Sequence, residues 1–187
     1  MIEAETVLLS AVASHLKTEM SLSDSQCSVE IDEQNVPAIA GDRYLTVIPA
    51  GINKGPRHDK SGGVIDLFVA VKVCVYHRMA DVPRDRRRNV FLERTKGLNA
   101  ELTNVMDAVD YRYEVTNAAN TEIAVLGNGE GFIKPLQFQS IDSRPQAVMR
   151  DPYDATPASA KGDPIVAIRR GVTFGLARFL MVRRPLT

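Results

Sequence analysis

The residue types that most often carry chemistry are sparse and scattered in this chain of 187 residues. Its three histidines, His15, His58 and His77, fall in a predicted helix, a predicted loop and the end of a predicted strand. They form no HExxH motif and no pair at the spacing of metal ligands. The sequence therefore predicts no metal and no other cofactor, and each histidine is interpreted as structural or solvated.

Two further patterns deserve a chemical interpretation. The segment GNGEG at 127–131 lacks the Lys-Ser/Thr ending of a phosphate-binding loop, and no helical pattern follows it, so it is interpreted as a tight turn. Asp107, Asp110 and Glu114 could meet in the fold as catalytic carboxylates, although nothing in their spacing separates their pKa values. A small enzyme stays open as an alternative, and it requires a concave pocket near Asp107 and Glu114.

Arginine is the charged residue that clusters most clearly. Four arginines of RDRRR fall in the first turns of a predicted helix, where cations oppose the helix dipole: Arg84, Arg86, Arg87 and Arg88. They are interpreted either as a solvated face with acidic neighbours or as an interface for an acidic surface or for DNA. Arg169 and Arg170 belong to a second, weaker basic set. A DNA-binding module remains possible, but 23 basic and 23 acidic residues give no basic excess.

The length and the composition, with 44% hydrophobic and 25% charged residues, indicate a globular protein of one domain. Cys27 and Cys74 lie in apolar runs and are predicted to be buried free thiols. The N-terminal stretch carries Glu3 and Glu5 instead of a positive region, and no run approaches the ~20 apolar residues of a membrane helix. We expect a protein made in the cytoplasm that has no membrane partner.

The elements that must position these residues centre on the stretch GGVIDLFVAVKVCVYHR at 62–78. One row of this predicted strand is wholly aliphatic: Ile65, Leu67, Val69, Val71, Val73 and Val75. The other row is mixed and includes Asp66, Phe68, Lys72 and Tyr76. A helix predicted over 84–109 carries an apolar stripe: Phe91, Leu98, Leu102, Val105 and Val109. We expect the aliphatic row to pack on this stripe, at ~25 cal/mol per Å² buried, which leaves the mixed row for another molecule.

Weaker patterns complete the predicted order of elements. An amphipathic helix is predicted over 3–18, and strands are predicted at 27–31, 44–48, 111–115, 132–140 and 165–184. Pro49 is expected to stop the second of these strands. Residues 117–164 are interpreted as an extended loop region of the same domain. The chain is therefore predicted to be α+β, with a largely antiparallel sheet packed against two helices and a long loop excursion in its C-terminal half.

The first 115 residues resemble the tail terminator, or tail-tube capping, proteins of long-tailed bacteriophages. The segments that carry the resemblance are the helix 3–18, GDRYLTVIPAG at 41–51, VIDLFVAVKVCVYH at 64–77 and the helix after it, 84–109. The likeness is one of order and pattern. It includes no catalytic signature, and the region 117–164 departs from compact members of the family.

This resemblance implies a structural virion protein that is not an enzyme. It implies a ring of identical copies, typically a hexamer, that caps the tail tube protein, stops tube growth and docks a neck or head-completion protein at the tail–neck junction. DNA would pass through the lumen, with Arg169 and Arg170 as candidate lumen residues. The mixed row and the arginines of RDRRR become candidate contacts between neighbours. Another connector of the same particle, a head-closure or tail-completion protein, is the nearest alternative.

Overall fold

In a computed structural model, the chain is described over residues 2–31, 42–55, 64–79, 86–125, 131–149 and 165–182. This part of the chain holds three helices: α1 (Ile2–Glu19), α2 (Arg87–Val109) and α3 (Tyr113–Val125). It also holds seven strands: β1 (Cys27–Val29), β2 (Arg43–Lys54), β3 (Val64–Arg78), β4 (Gly131–Phe132), β5 (Gln137–Ile141), β6 (Gln146–Met149) and β7 (Ile165–Val182). The α+β class is confirmed, with a third helix in addition to the two expected. Within these ranges no helix is both long and apolar enough to cross a membrane.

All seven strands belong to one sheet in which β3 is central. The order is β1-β2-β3-β7, and β4, β5 and β6 all pair with β7 on its other side. The pairing of β1 with β2 is parallel, and every other pairing is antiparallel. The expectation of a largely antiparallel sheet is therefore correct.

The expected packing of the central strand on the long helix is also present. Val71, Val73 and Val75 have no exposed surface, and they share one apolar core with four residues of the α2 stripe: Leu98, Leu102, Val105 and Val109. The fifth stripe residue, Phe91, is 42% exposed, and Val90 packs partly against the core in its place. Helix α1 adds Leu8, Val12 and Leu16 to the same core.

The prediction that Pro49 ends its strand is wrong. β2 continues to Lys54 through a register shift between Pro49 and Gly51, and Gly51 has a φ of +121°. β1 pairs only with residues 45–47 of β2, so Pro49 lies where the outer side of β2 has no described partner. A proline is tolerated at such an edge because no neighbouring strand needs its missing N–H.

The region after α2 is more regular than expected. The segment 111–115 is not a strand, because Tyr111 takes a φ of +56° in a turn and α3 begins at Tyr113. Val115, Ala119 and Ile123 recur at a spacing of four and are buried, which is a helical stripe. The predicted loop region 117–164 therefore includes most of α3 and the three short strands paired with β7, while 150–164 lies outside the described residues. Residues 165–182 form one continuous strand.

Candidate functional site

The mixed row of β3, predicted to be an interface, is largely covered by its own chain. Asp66 has no exposed surface, and its carboxylate accepts two hydrogen bonds from Arg178 of β7, at 3.0 Å from Nε and 2.6 Å from Nη2. These bonds raise the pKa of the Arg178 guanidinium above its ordinary value. Asp66 is therefore an interior partner of Arg178 and is not available to a second molecule.

Lys72 and Tyr76 are also held inside the chain. Lys72 Nζ lies 3.0 Å from Oδ1 of Asp142, whose Oδ2 accepts the backbone N–H of Gly171 at 2.9 Å. Tyr76 has no exposed surface, and burial raises the pKa of its hydroxyl. Burial leaves Asp66 and Tyr76 no surface for a neighbouring copy, so the interface prediction is wrong for these two residues. Lys72 is half-buried and its charge is paired with Asp142. Phe68 is half-buried on the same row.

The predicted basic set at Arg169 and Arg170 does not form one surface. The two residues are adjacent on β7, so their side chains leave opposite faces of the sheet. Arg169 donates two hydrogen bonds to Oε1 of Gln146, at 3.1 and 2.8 Å. Arg170 donates to Asn99 of α2 and to the backbone oxygen of Asp142. Both guanidinium groups tie elements of one chain together, and the assignment of Arg169 and Arg170 to the lumen stays a prediction.

The arginines of RDRRR do lie at the start of α2, and Arg84 is outside the described residues. Arg86 is the exposed N-cap of the helix and makes no side-chain capping bond, while Arg87 and Arg88 form its first turn. Phe91 and Leu92 follow, with 42% and 53% of their surfaces exposed. The beginning of α2 therefore combines positive charge with exposed apolar surface.

A second exposed apolar surface lies at β1, the edge strand of the sheet. Val29 is 38% exposed and Ile31, just past the end of β1, is 81% exposed. Glu30 lies between them and accepts a hydrogen bond from the Ser28 hydroxyl. The alternation places Val29 and Ile31 on one strand face with Cys27. Helix α1 covers Cys27, whose thiol lies 3.9 Å from the backbone oxygen of Ala13, but Val29 and Ile31 beyond it are exposed.

A buried polar cluster joins the sheet to the helices where β3 ends. Arg43 Nη1 donates to Oε1 of Glu101 on α2 at 2.9 Å, and Arg43 Nη2 reaches the backbone oxygen of Met20 after α1. The ring of His77 lies 3.6 Å from Oε2 of Glu101, beyond hydrogen-bonding distance. Neither His77 ring nitrogen has a hydrogen-bond partner in the part of the chain described. His77 is thus structural, as one of the two interpretations of the histidines predicted.

Glu101 should make the free energy of unfolding depend on pH in the acidic range. Burial alone would raise the pKa of its carboxyl, but the hydrogen bond and positive charge of Arg43, with the His77 ring close by, outweigh burial and hold the pKa below its ordinary value of 4.5. A lowered folded-state pKa gives a stabilisation that is complete above about pH 4.5 and is lost as the pH falls through the folded-state pKa. Glu101→Gln is expected to lower the free energy of unfolding at pH 7 by about 1.5–3 kcal/mol. Urea denaturation from pH 7 to pH 3 should show this difference shrinking below pH 4.5, and a constant difference would contradict the assignment.

An open cavity of about 410 Å³ lies beside this cluster, between the end of α1 and the end of α2. Charged groups of both signs line it, including Arg43, Arg112, Glu19 and Asp107. Asp110 does not line it, and its carboxylate accepts the backbone N–H of Phe138 at 2.7 Å. Glu114 is exposed on α3 and does not line the cavity either. This cavity therefore does not bring Asp107 and Glu114 together.

The two cysteine thiols are buried. Cys27 and Cys74 are both buried free thiols, as the sequence predicted, and burial raises the pKa of Cys27 to about 11. A thiol of that pKa is protonated at neutral pH and is a poor nucleophile. Among the described residues, no three side chains of His, Cys, Asp or Glu lie where they could hold a metal ion.

Comparison with known proteins adds little to this geometry. No family model and no curated protein matches the chain. One solved protein structure is similar to it over 96% of both chains, at 13% sequence identity and a TM-score of 0.35. A likeness that low carries no argument about function, so the function has to be argued from the chain itself.

Proposed function

We propose that this protein is a structural virion component, a ring-forming tail terminator that caps the tail tube of a long-tailed bacteriophage. The observation that supports the proposal most is the order of its core elements. Helix α1, the long antiparallel pair β2 and β3, and helix α2 on the aliphatic row follow one another as in the segments that resemble the family. The role proposed is an assembly role that needs no catalytic residue.

The polar chemistry of the described sheet is consistent with such a role. Buried Asp66 on β3 is paired with Arg178 on β7, and half-buried Lys72 on β3 is paired with Asp142 just after β5. Charges paired in this way hold strands in register and are not poised to react with a substrate. A subunit of a rigid ring needs a sheet whose strands are held in register in this way.

In the proposed role, a ring of copies, typically six, sits on the last layer of the tube and prevents further addition of tail tube protein. Its opposite side docks a neck or head-completion protein, and DNA passes through the lumen. A closed ring of identical subunits requires heterologous contacts, in which two different patches of one chain meet. The two exposed apolar surfaces at β1 and at the start of α2 are different patches of this kind.

Particles assembled in the absence of this protein test the proposal. We expect tail tubes of irregular, excessive length, because nothing stops the addition of tube subunits. Adding purified protein during assembly should restore a uniform length. Electron microscopy of the tubes measures this directly. Normal-length tails that fail to join heads would instead assign the protein to head–tail joining, and normal infectious particles would exclude both roles.

A further inference from the structure

We draw no further inference here: the strongest candidate, the open cavity between the end of α1 and the end of α2, is lined by exposed charged side chains of both signs such as Glu19, Asp107 and Arg112, and nothing in the described part of the chain shows which ligand it would hold.

Discussion

Leu102→Ala is expected to lower the free energy of unfolding by about 2–5 kcal/mol. Leu102 is 2% exposed on α2 and belongs to the same core as the aliphatic row of β3. The substitution removes its apolar surface from the core and leaves a cavity that rigid neighbours on the sheet cannot fill. Urea denaturation at a fixed protein concentration measures the change, because association would otherwise shift the midpoint.

Ile133→Ala is the matched control for this substitution. It also shortens an aliphatic side chain to alanine, but Ile133 is 48% exposed. Its effect is expected to stay below about 1 kcal/mol. Equal effects of the two substitutions would contradict the packing of α2 on the central strand.

Asp66→Ala is expected to destabilise the protein by an amount comparable with that of Leu102→Ala. The carboxylate is completely buried and is the bidentate partner of Arg178, so its removal leaves a guanidinium group with little solvent and no counter-ion. Gly55 packs closely against the same carboxylate, because a Cβ at position 55 would collide with it. Chemical denaturation of the single variant measures the loss.

A double variant distinguishes the charge from the packing. Asp66→Leu combined with Arg178→Met replaces the ion pair by apolar side chains and is expected to recover most of the stability lost in Asp66→Ala. The control is Asp42→Ala, which breaks the exposed pair with Arg94 and should change stability little. A double variant as unstable as Asp66→Ala would show that the ion pair itself is required, which would contradict the interpretation that an unpaired charge causes the loss.

The sequence predicted the parts of the fold that depend on local periodicity. The spacing of two in 64–77 and the stripe from Leu98 to Val109 each determine one face of one element, and these faces meet as expected. The helix over Tyr113–Val125 was missed, because its buried positions, such as Ala119, are small and its first residues, YEV, alternate like a strand. Whether a short, weakly hydrophobic segment forms a helix or a strand depends on its tertiary packing more than on its own sequence pattern.

The candidate contacts were harder to predict because polar residues on a strand reveal nothing about their partners. Asp66 and Arg178 are 112 positions apart, and Lys72 is 70 positions from Asp142, so no local spacing links them. The row of β3 that carries Asp66 and Lys72 is interpreted from the sequence as an outer surface, whereas Arg178 on β7 and Asp142 after β5 pair with its charges. The arginines at the start of α2 are identified as a candidate contact from the sequence, whereas the exposure of Phe91 and Leu92 could be seen only in the structure.

The mass of the purified native protein tests the central claim most directly, which is that copies of this chain assemble head to tail into a closed ring. Native mass spectrometry should show one dominant species of several copies, about six times the chain mass of 20.6 kDa, that persists on dilution. A closed ring gives this single species because its last contact leaves no free patch. A monomer at every concentration, or an open-ended ladder of sizes, would contradict the account.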